Sequence, residues 1–343
     1  MKIKWIAALS LILSKTLTCC GMVLANEQRI GLSDINSIAI SYQGESITLH
    51  KSNTDSLIIK EYMKWDNSDY YARVAKDGSK LTIMQGERPF LKYIWMWRAR
   101  VEVYIPTLNT KTITVKTTSG SIVADDEYTC SHVSMESSSG SISINTIAAT
   151  TASIKATSGS INSKKIVGDA VIQTSSGIIS CDIVDGNASA KSSSGSIRFE
   201  TVAGAANIRT SSGSISLGAV GGNVSAEASS GSIELKKGNG NIRVKTSSGR
   251  IDCAASENAE DISLTSSSGS IYLNIPRKSQ FNFTSKTTSG HLSTPFSDKL
   301  FSPVTDNNVT QGAIGGDNPK NNVNIRTTSG SIKVKWIESG YEK

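Results

Sequence analysis

The chain has 343 residues, of which 38% are hydrophobic and 6% aromatic, with 28 glycines and 6 prolines. This composition offers fewer large side chains than a thick globular core needs, and the regular recurrence of Ile and Val excludes a disordered chain. The net charge of +7 falls to +4 without the three lysines of the first 25 residues, which gives no reason to expect nucleic-acid binding. An elongated fold with a thin core is therefore expected.

The first 25 residues have the pattern of a secretory signal peptide. Lys2 and Lys4 precede an apolar run from Trp5 to Leu13, and Val23-Leu24-Ala25 provides a small-residue cleavage site before Asn26. A basic start, a short apolar segment and such a site are typical of signal peptides. We therefore predict that this segment is removed and that the mature chain is exported.

The same segment raises two other forms of membrane attachment. Lys15 interrupts the apolar stretch, which disfavours a spanning helix of about 20 apolar residues. Leu17 lies three residues before Cys20, as in a lipoprotein signal, but Cys19 stands where a small residue is usual. We expect the protein in the periplasm, in the cell envelope or outside the cell, without a transmembrane helix; acylation of Cys20 is the alternative anchor.

Residues 26–105 are predicted to form a β-rich cap in front of a series of repeats. Short apolar runs with turn residues between them predict strands at 37–42, 46–50, 56–61, 80–84 and 95–105. A cap would cover a strand edge that otherwise invites aggregation. Aromatic residues are frequent here, and we consider Trp95 and Trp97 either as core residues or as a sugar-stacking platform.

A Ser-Gly corner recurs between residues 106 and 336. Its glycines are Gly120, Gly140, Gly159, Gly177, Gly195, Gly213, Gly231, Gly249, Gly269, Gly290 and Gly330. Five successive spacings are 18 residues, and a branched aliphatic residue follows each of these glycines by two positions. Apolar residues also stand seven and five positions before most of them, so that each period holds two short strands.

These repeats predict an all-β fold, a single-stranded parallel β-solenoid of about eleven coils. A two-strand unit cannot bury its own apolar face, whereas stacked units form a continuous core. Successive coils would lie about 4.8 Å apart, and the preference of parallel crossovers favours a right-handed solenoid. The period breaks at residues 295–322, which are predicted to form a long surface loop, before a last coil and a C-terminal tail at 337–343.

The corner residues and the cysteines are expected to have structural roles. Glycine would supply a positive φ at the sharp bend, and serine hydroxyls would bond backbone groups that the bend leaves unpaired. Cys181 and Cys253 lie four positions after their glycines, so both are predicted to point inward, too far apart for a disulfide. Cys130 is interpreted as a third buried and unreactive cysteine.

Enzymatic and metal chemistry find little support in the sequence. His50, His132 and His291 lack metal-ligand spacing and a recognisable partner nucleophile, so no cofactor and no catalytic residue are predicted. Glu234 and Asp252 are acidic neighbours on the outward ladder three positions after the glycines. We consider this pair either as solvated surface or as a calcium or catalytic pair.

One outward ladder carries a repeated charge. Four positions before the glycines stand Lys116, Glu136, Lys155, Gln173, Lys191, Arg209, Glu227, Lys245, Thr265, Lys286 and Arg326. Seven of these eleven side chains are basic, and like charges about 5 Å apart repel, so the fold itself does not require them. We call Lys155, Lys191, Arg209 and Lys245 the basic stripe. It predicts either binding of an anionic glycan or envelope polymer, or a device that keeps the sheet soluble.

Two segments carry a resemblance to a known family. The run Val101-Glu102-Val103-Tyr104-Ile105-Pro106, followed by Ile113-x-Val115 and the corner at Gly120, resembles the bacterial putative-adhesin family. The glycine-rich segment Gly312–Gly316 and the corner at Gly330 are similar to the C-terminal end of that family. The resemblance covers residues 30–336 and implies an exported or envelope β-solenoid domain of unknown function; it supplies no functional residues.

The sequence therefore predicts an exported, non-enzymatic β-solenoid that presents a long β face to an adhesion or envelope partner. A carbohydrate-active β-helix enzyme is the first alternative, and it would need carboxylates and basic residues clustered on one ladder. A structural envelope spacer is the second alternative. No nucleic-acid partner is expected, and the oligomeric state does not follow from the sequence.

Overall fold

The computed structural model describes residues 4–5, 22–87, 99–106, 111–302, 308–316 and 318–337, and these residues form an all-β protein. Over the described ranges, helical structure consists of two 3-10 helices, Ser68–Tyr70 and Ser297–Lys299. Neither of these described helices is long and apolar enough to cross a membrane. The chain forms two compact units, Met1–Gly177 and Ile178–Lys343.

Each unit is built almost entirely from strands. The first unit contains β1 (Lys4–Trp5), β2 (Val23–Gly31), β3 (Ser37–Ser41), β4 (Ser46–Ser52), β5 (Ser56–Met63), β6 (Arg73–Asp77), β7 (Lys80–Met84), β8 (Ala99–Pro106), β9 (Thr112–Thr117), β10 (Ile122–Ser137), β11 (Ile142–Ala156) and β12 (Ile161–Thr174). The second unit contains β13 (Ile179–Val184), β14 (Ala188–Ser192), β15 (Ile197–Val202), β16 (Ala206–Thr210), β17 (Ile215–Val220), β18 (Val224–Ala228), β19 (Ile233–Thr246), β20 (Ile251–Ser266), β21 (Ile271–Pro276), β22 (Phe281–Thr287), β23 (Leu292–Ser293), β24 (Val309–Ile314), β25 (Asn321–Thr327) and β26 (Ile332–Ile337).

Repeats stack in register within each unit. In the second unit Ile197 pairs with Ile215, and Ile215 pairs with Ile233, in the parallel strands β15, β17 and β19. Each of these three side chains is 1% exposed. The predicted file of inward aliphatic residues is therefore confirmed, and the residues that alternate with them point outward.

The strand pairing is mixed rather than parallel throughout. In the first unit β5 pairs antiparallel with both β2 and β8, and β6 pairs antiparallel with β7. In the second unit β24 pairs antiparallel with β22. Strands β5, β6 and β24 lie outside the parallel repeats of their units. They cover edges of β8, β7 and β22 that would otherwise be unpaired.

A close backbone contact, and not a positive φ, requires glycine at the corners. The glycines with positive φ are Gly78, Gly168, Gly240 and Gly315. None of these is a corner glycine, so the expected left-handed conformation is wrong. A Cβ atom on Gly249 would lie 2.0 Å from the main-chain oxygen of Gly231, one repeat earlier. Only glycine lets the backbones of successive corners rest on one another.

A buried hydroxyl three positions before a corner glycine joins consecutive repeats. Thr246 Oγ1 donates a hydrogen bond to the main-chain oxygen of Gly231 (2.9 Å) and accepts one from the Gly249 N–H (3.2 Å). The same two bonds are made by Ser137, Thr174, Thr210, Ser266, Thr287 and Thr327. The predicted role of corner hydroxyls in satisfying the backbone is confirmed for this position.

A further repeat without a corner glycine lies in the segment predicted as a cap. Its inward residues are Ile38, Ile40, Ile47 and Leu49. Glu45 occupies the place of the corner glycine, because the Cβ position of Gly120 faces the Glu45 main-chain oxygen at 1.8 Å. Thr117 Oγ1 donates a hydrogen bond to that same oxygen (3.2 Å). The repeat pattern therefore begins earlier than the glycine spacing indicates.

The order of stacking departs from the order of the chain in both units. In the first unit β3 lies between β7 and β9, and β4 lies between β8 and β10. In the second unit β25 lies between β20 and β22, and β26 lies between β21 and β23. The last repeat of the sequence is thus inserted between the two repeats that precede it.

The segment 295–322, predicted as a surface loop, contains a 3-10 helix and β24. Its Phe296 is 3% exposed, and the ring lies 5.2 Å from that of Phe283 and 5.3 Å from that of Trp336. Phe281 packs edge-on against the same Phe296 ring, with centroids 5.8 Å apart. This aromatic cluster covers the apolar interior next to the outer repeat.

The described residues contain three cysteines, Cys130, Cys181 and Cys253, and none of these three forms a disulfide. Cys181 and Cys253 are 1% and 0% exposed, which confirms that both point inward. Cys130 is only half-buried, so the prediction of a buried residue is wrong at this position. It lies beyond a register shift that follows Ala124 in β10, where buried and exposed residues no longer alternate regularly. The general tendency of free cysteines to be buried, on which the prediction depended, does not hold there.

Candidate functional site

The repeats turn the basic stripe outward. In the second unit Lys191, Arg209 and Lys245 lie on β14, β16 and β19, and each is flanked by buried residues on its own strand. Because successive side chains of a strand face opposite sides, burial of the neighbours places these cations in solvent. Lys155 lies on β11 of the first unit, and its side chain is also exposed.

Strand register fixes the order of charges in the second unit. Lys191 is directly opposite Arg209, Arg209 is opposite Glu227, and Glu227 is opposite Lys245. Arg209 Nε lies 3.5 Å from Glu227 Oε2, so one acidic residue interrupts the file of cations. Three basic side chains against one carboxylate leave this part of the stripe positive.

Lys155 shares a carboxylate with a second lysine. Glu136 lies between Lys116 and Lys155, with nitrogen–oxygen distances of 2.8 Å and 3.8 Å. The hydrogen bond from Lys116, together with the charge of both lysines, lowers the pKa of Glu136 against the opposing effect of burial. The carboxylate is therefore charged near neutral pH, and this part of the stripe carries a net charge of one cation.

Arg243 widens the stripe, although it does not belong to the ladder that predicted it. It lies two residues before Lys245 on β19, is exposed, and is opposite Ser225 of β18. Its position is six before the corner glycine, where other repeats of the second unit carry Ser189, Asn207, Ser225 and Ser263. A single arginine at a position that is otherwise occupied by hydroxyl and amide side chains could have indicated from the sequence that Arg243 belongs to the basic surface.

These side chains form a surface that suits an extended anion. In the second unit Lys191 and Arg209 stand on adjacent strands about 4.8 Å apart, and Lys245 lies two strands beyond Arg209 with Glu227 between them. Hydroxyl and amide groups border this file. Exposed ion pairs such as that of Arg209 and Glu227 contribute about 0–1 kcal/mol, so an incoming anionic group can compete with Glu227. The basic stripe is thus available to a ligand even though Glu227 lies between two of its cations.

Of the other residues singled out from the sequence, the structure brings together Glu234 and Asp252, which are directly opposite each other on β19 and β20. Cys20, Trp95 and Trp97 lie outside the described residues. His50 stacks on Tyr104, with ring centroids 4.8 Å apart, on the outward side of β4 and β8. Across the ranges described, no group of three or more His, Cys, Asp or Glu residues is placed to hold a metal ion.

The sequence matches a known family model over most of its length. The model described as Toastrack DUF4097 matches residues 35–230 and 223–335. The chain belongs to the Toastrack family. This membership confirms the resemblance to the putative-adhesin family, and it establishes the all-β repeat architecture without naming a ligand. No curated protein matches this Toastrack chain significantly.

Several solved structures are similar to the Toastrack chain at low identity. A putative adhesin of Parabacteroides merdae is 11% identical, with a TM-score of 0.41, over 90% of this chain and 95% of that one. A putative lipid binding protein of Parabacteroides distasonis is 15% identical, with a TM-score of 0.34, over 90% and 96%. A putative adhesin of Bacteroides fragilis is 12% identical, with a TM-score of 0.30, over 90% and 96%.

Proposed function

We propose that this protein is an exported, non-enzymatic envelope protein that binds an anionic glycan, or a related envelope polymer, through the basic stripe and Arg243. Strand register carries this proposal, because it aligns Lys191 with Arg209 and sets Arg243 beside Lys245 on one outward side of the second unit. Polymers with regularly spaced acidic groups can contact several of these cations at once.

The proposal accounts for a charge pattern that has an energetic cost. Lys191 and Arg209 face each other on neighbouring strands, about 4.8 Å apart, and repel by about 1 kcal/mol or less in water. A serine or threonine at these positions, as at Thr265, would keep the strand without this repulsion. A bound polyanion removes the repulsion and gains the attraction of every cation in the file.

The finer architecture is part of the same proposal. We propose that the repeats of each unit wind as a single-stranded parallel solenoid with a right-handed turn, four of the eleven predicted corners belonging to the first unit and seven to the second. Parallel pairing one period apart, as between Lys191 and Arg209, supports this winding. A rigid array of this kind keeps the cations in a fixed file, which lowers the entropic cost of binding a stiff polymer.

The test compares wild-type protein with a variant in which Lys155, Lys191, Arg209 and Lys245 are all changed to Glu. On immobilised heparin and immobilised lipopolysaccharide, the wild type should be retained and released by salt, since screening weakens contacts between exposed charges. The variant should elute at a much lower salt concentration, with apparent affinity lower by at least about tenfold.

A charge-matched control separates the stripe from net charge. Changing Lys164, Lys236, Lys333 and Lys335 to Glu alters the total charge equally but uses exposed positions that follow the corner glycines. This control should elute close to wild type. Equal loss of retention in both variants, or unchanged retention in the stripe variant, would leave the stripe as a solubility device.

Export and the position of the mature N-terminus belong to the proposal as well. Strand β2 begins at Val23, three residues before the expected mature residue Asn26, and the regular pairing of β2 with β5 starts at Asn26 opposite Glu61. Mass spectrometry of the protein recovered from the envelope fraction should show a chain that begins at Asn26. A lipid-modified Cys20 or an uncleaved cytoplasmic chain would contradict this expectation.

A further inference from the structure

A shallow, open depression of about 260 Å³ lies among the residues that follow the corner glycines of the second unit. Its lining includes the small polar residues Ser214, Ser216 and Ser232. It also includes the charged residues Glu234, Arg250 and Asp252. The basic stripe precedes the corner glycines, so the two surfaces are separate.

The charged residues of the depression are held in place before any ligand arrives. Arg250 donates a hydrogen bond to Asp252, and its guanidinium carbon lies 4.1 Å from the centre of the Tyr272 ring. Ser216 Oγ donates a hydrogen bond to Glu234 Oε2 (3.2 Å). Glu234 and Asp252 are directly opposite each other on β19 and β20, so their backbones are about 4.8 Å apart.

A second ion pair lies on β15, the strand that pairs with β17. Arg198 is opposite Ser216 in the strand register, and its Nε donates to Glu200 Oε1 (2.6 Å). Small hydroxyl residues therefore lie between two arginines, each of which is fixed by a carboxylate.

Comparison among the repeats shows that the fold does not need these charged side chains. One position after the corner glycine, where Arg250 stands, five other repeats of the second unit have Ser196, Ser214, Ser232, Ser270 and Ser331, and two more have Ile178 and His291. Three positions after it, where Glu234 and Asp252 stand, the equivalent residues are Ser180, Arg198, Ser216, Tyr272, Ser293 and Lys333. Both positions therefore accept several kinds of side chain, and a charged residue at either of them is not a structural requirement.

We propose that this depression binds a neutral saccharide unit. Glu234 and Asp252 each have a carboxylate oxygen to accept hydrogen bonds from two adjacent sugar hydroxyls, and Arg250 has further N–H groups to donate to a third oxygen. The hydroxyls of the lining residues Ser214 and Ser232 can both donate and accept hydrogen bonds. A polyol that presents donors and acceptors at close spacing satisfies all these groups together.

Charge balance selects a neutral ligand over an ionic one. The lining carries one arginine, Arg250, against two carboxylates, those of Glu234 and Asp252, and the ion pair of Arg198 and Glu200 on β15 adds no net charge, so the depression is close to neutral and slightly negative. A polyanion is not attracted to such a surface. A divalent cation prefers six or more oxygen ligands, whereas Arg250 already engages Asp252 here. This inference does not depend on the proposed role of the basic stripe.

The experiment uses saturation-transfer NMR with the methyl glycosides of glucose, galactose, mannose and N-acetylglucosamine at millimolar concentration. At least one glycoside should receive saturation from the wild-type protein, and EDTA should leave the signal unchanged. Glu234→Gln should weaken the binding by about tenfold, because a charge-assisted hydrogen bond is lost. Tyr272→Ser, which introduces the residue of other repeats, should weaken it by freeing Arg250.

Matched controls make the outcome specific. Glu257→Gln makes the same chemical change at an exposed residue outside the depression and should bind like wild type. The quadruple Glu variant of the basic stripe should also bind like wild type, so that failure of one proposal is distinguishable from failure of the other. Absence of saturation with all four glycosides, equal binding by Glu234→Gln, or loss of binding in EDTA would each overturn the saccharide site.

Discussion

The hydroxyl of Thr327 donates a hydrogen bond to the main-chain oxygen of Gly269 (3.2 Å) across 58 residues of sequence. The corner glycine that follows Gly269 in the chain is Gly290, yet Gly290 rests on Gly330 instead, because its Cβ position lies 1.9 Å from the Gly330 oxygen. The C-terminal repeat therefore lies between the repeats of Gly269 and Gly290 and contacts both. Its removal would separate these two repeats rather than shorten the stack by one.

This insertion predicts where a core mutation in β25 will act. Ile325 is 0% exposed, and its replacement by Ala should cost about 2–5 kcal/mol. Because β25 contacts both β20 and β22, hydrogen exchange should accelerate in 281–287 as well as in 262–266. The matched control is Ile208→Ala in β16, which should affect its neighbours β14 and β18 but leave 281–287 protected. Undiminished protection of 281–287 in Ile325→Ala would contradict the inserted order.

The interior repeats are predictable from sequence because their packing requires particular residue types at fixed positions of each repeat. The close contact at Gly249 excludes any side chain, and the inward file at Ile215 and Ile233 admits only aliphatic residues. The order of the last repeats is not indicated in this way, since Val323 and Phe283 both stand seven positions before their glycines. Which repeats are neighbours in the stack depends instead on the size of the side chain at this position. Phe283 is larger than Val323, and it packs against Phe281 and Phe296 in the aromatic cluster next to the outer repeat.

The first repeat is not found from the glycine spacing, because its corner position is occupied by Glu45 instead of glycine. In the stack β3 pairs with β7 and β4 pairs with β8, and the sequence between β7 and β8 contains no Ser-Gly pair that could align with Glu45. The apolar spacing of Ile38, Ile40, Ile47 and Leu49 around Glu45 was the readable signal. Arg243 differs visibly from the residues at its position in other repeats, and the adjacency of Glu234 and Asp252 follows from the glycine spacing. The contacts of Arg250 with Asp252 and Tyr272 were not predicted, because they depend on side-chain conformations that a linear sequence does not show.

The corner contact predicts a steric cost for any side chain at Gly249. Gly249→Ala would place a Cβ atom against the main-chain oxygen of Gly231, which cannot rotate away, and the unfolding free energy should fall by about 3 kcal/mol. Gly44→Ala is the control, because no atom lies within 4 Å of its Cβ position. The control should change stability by no more than about 0.5 kcal/mol. Equal unfolding midpoints for the two variants in urea would refute the contact.

The buried corner hydroxyl predicts a different kind of loss at Thr246. Thr246→Val keeps the shape of the side chain but leaves the Gly231 oxygen and the Gly249 N–H without this partner, so stability should fall by about 1–3 kcal/mol. Thr246→Ser should be nearly neutral, since Ser137 and Ser266 make the same two bonds. Ser247→Ala, at an exposed position, controls for hydroxyl loss and should match wild type in urea denaturation. A Val variant as stable as the Ser variant would show that the bonds are dispensable.

Thiol reactivity should rank the three cysteines by burial. Burial raises the pKa of Cys253 to about 12 and that of Cys130 to about 11, so neither is a reactive thiolate at neutral pH. Cys130 is half-buried while Cys253 is inaccessible, and a thiol reagent should therefore modify Cys130 first in the folded protein. Cys130→Ser should abolish this early phase, and denaturant should expose Cys181 and Cys253. Early labelling that persists in Cys130→Ser would contradict the burial of the other two.

Alkaline pH should destabilise the first unit through Tyr104. Its hydroxyl donates to Glu102 Oε2 (3.1 Å), and burial, together with the charge of Glu102, raises the pKa of Tyr104 to about 12. An unfolded tyrosine ionises near pH 10. Because the folded pKa is the higher one, the stabilising contribution is complete below about pH 10 and is lost as the pH rises towards about 12. Tyr104→Phe should therefore flatten the fall of the melting temperature over that range, and Glu102→Gln should flatten it partly by removing the negative charge. A fall as steep in Tyr104→Phe as in wild type would assign the alkaline transition to other groups, such as Tyr71, whose pKa is also raised to about 12.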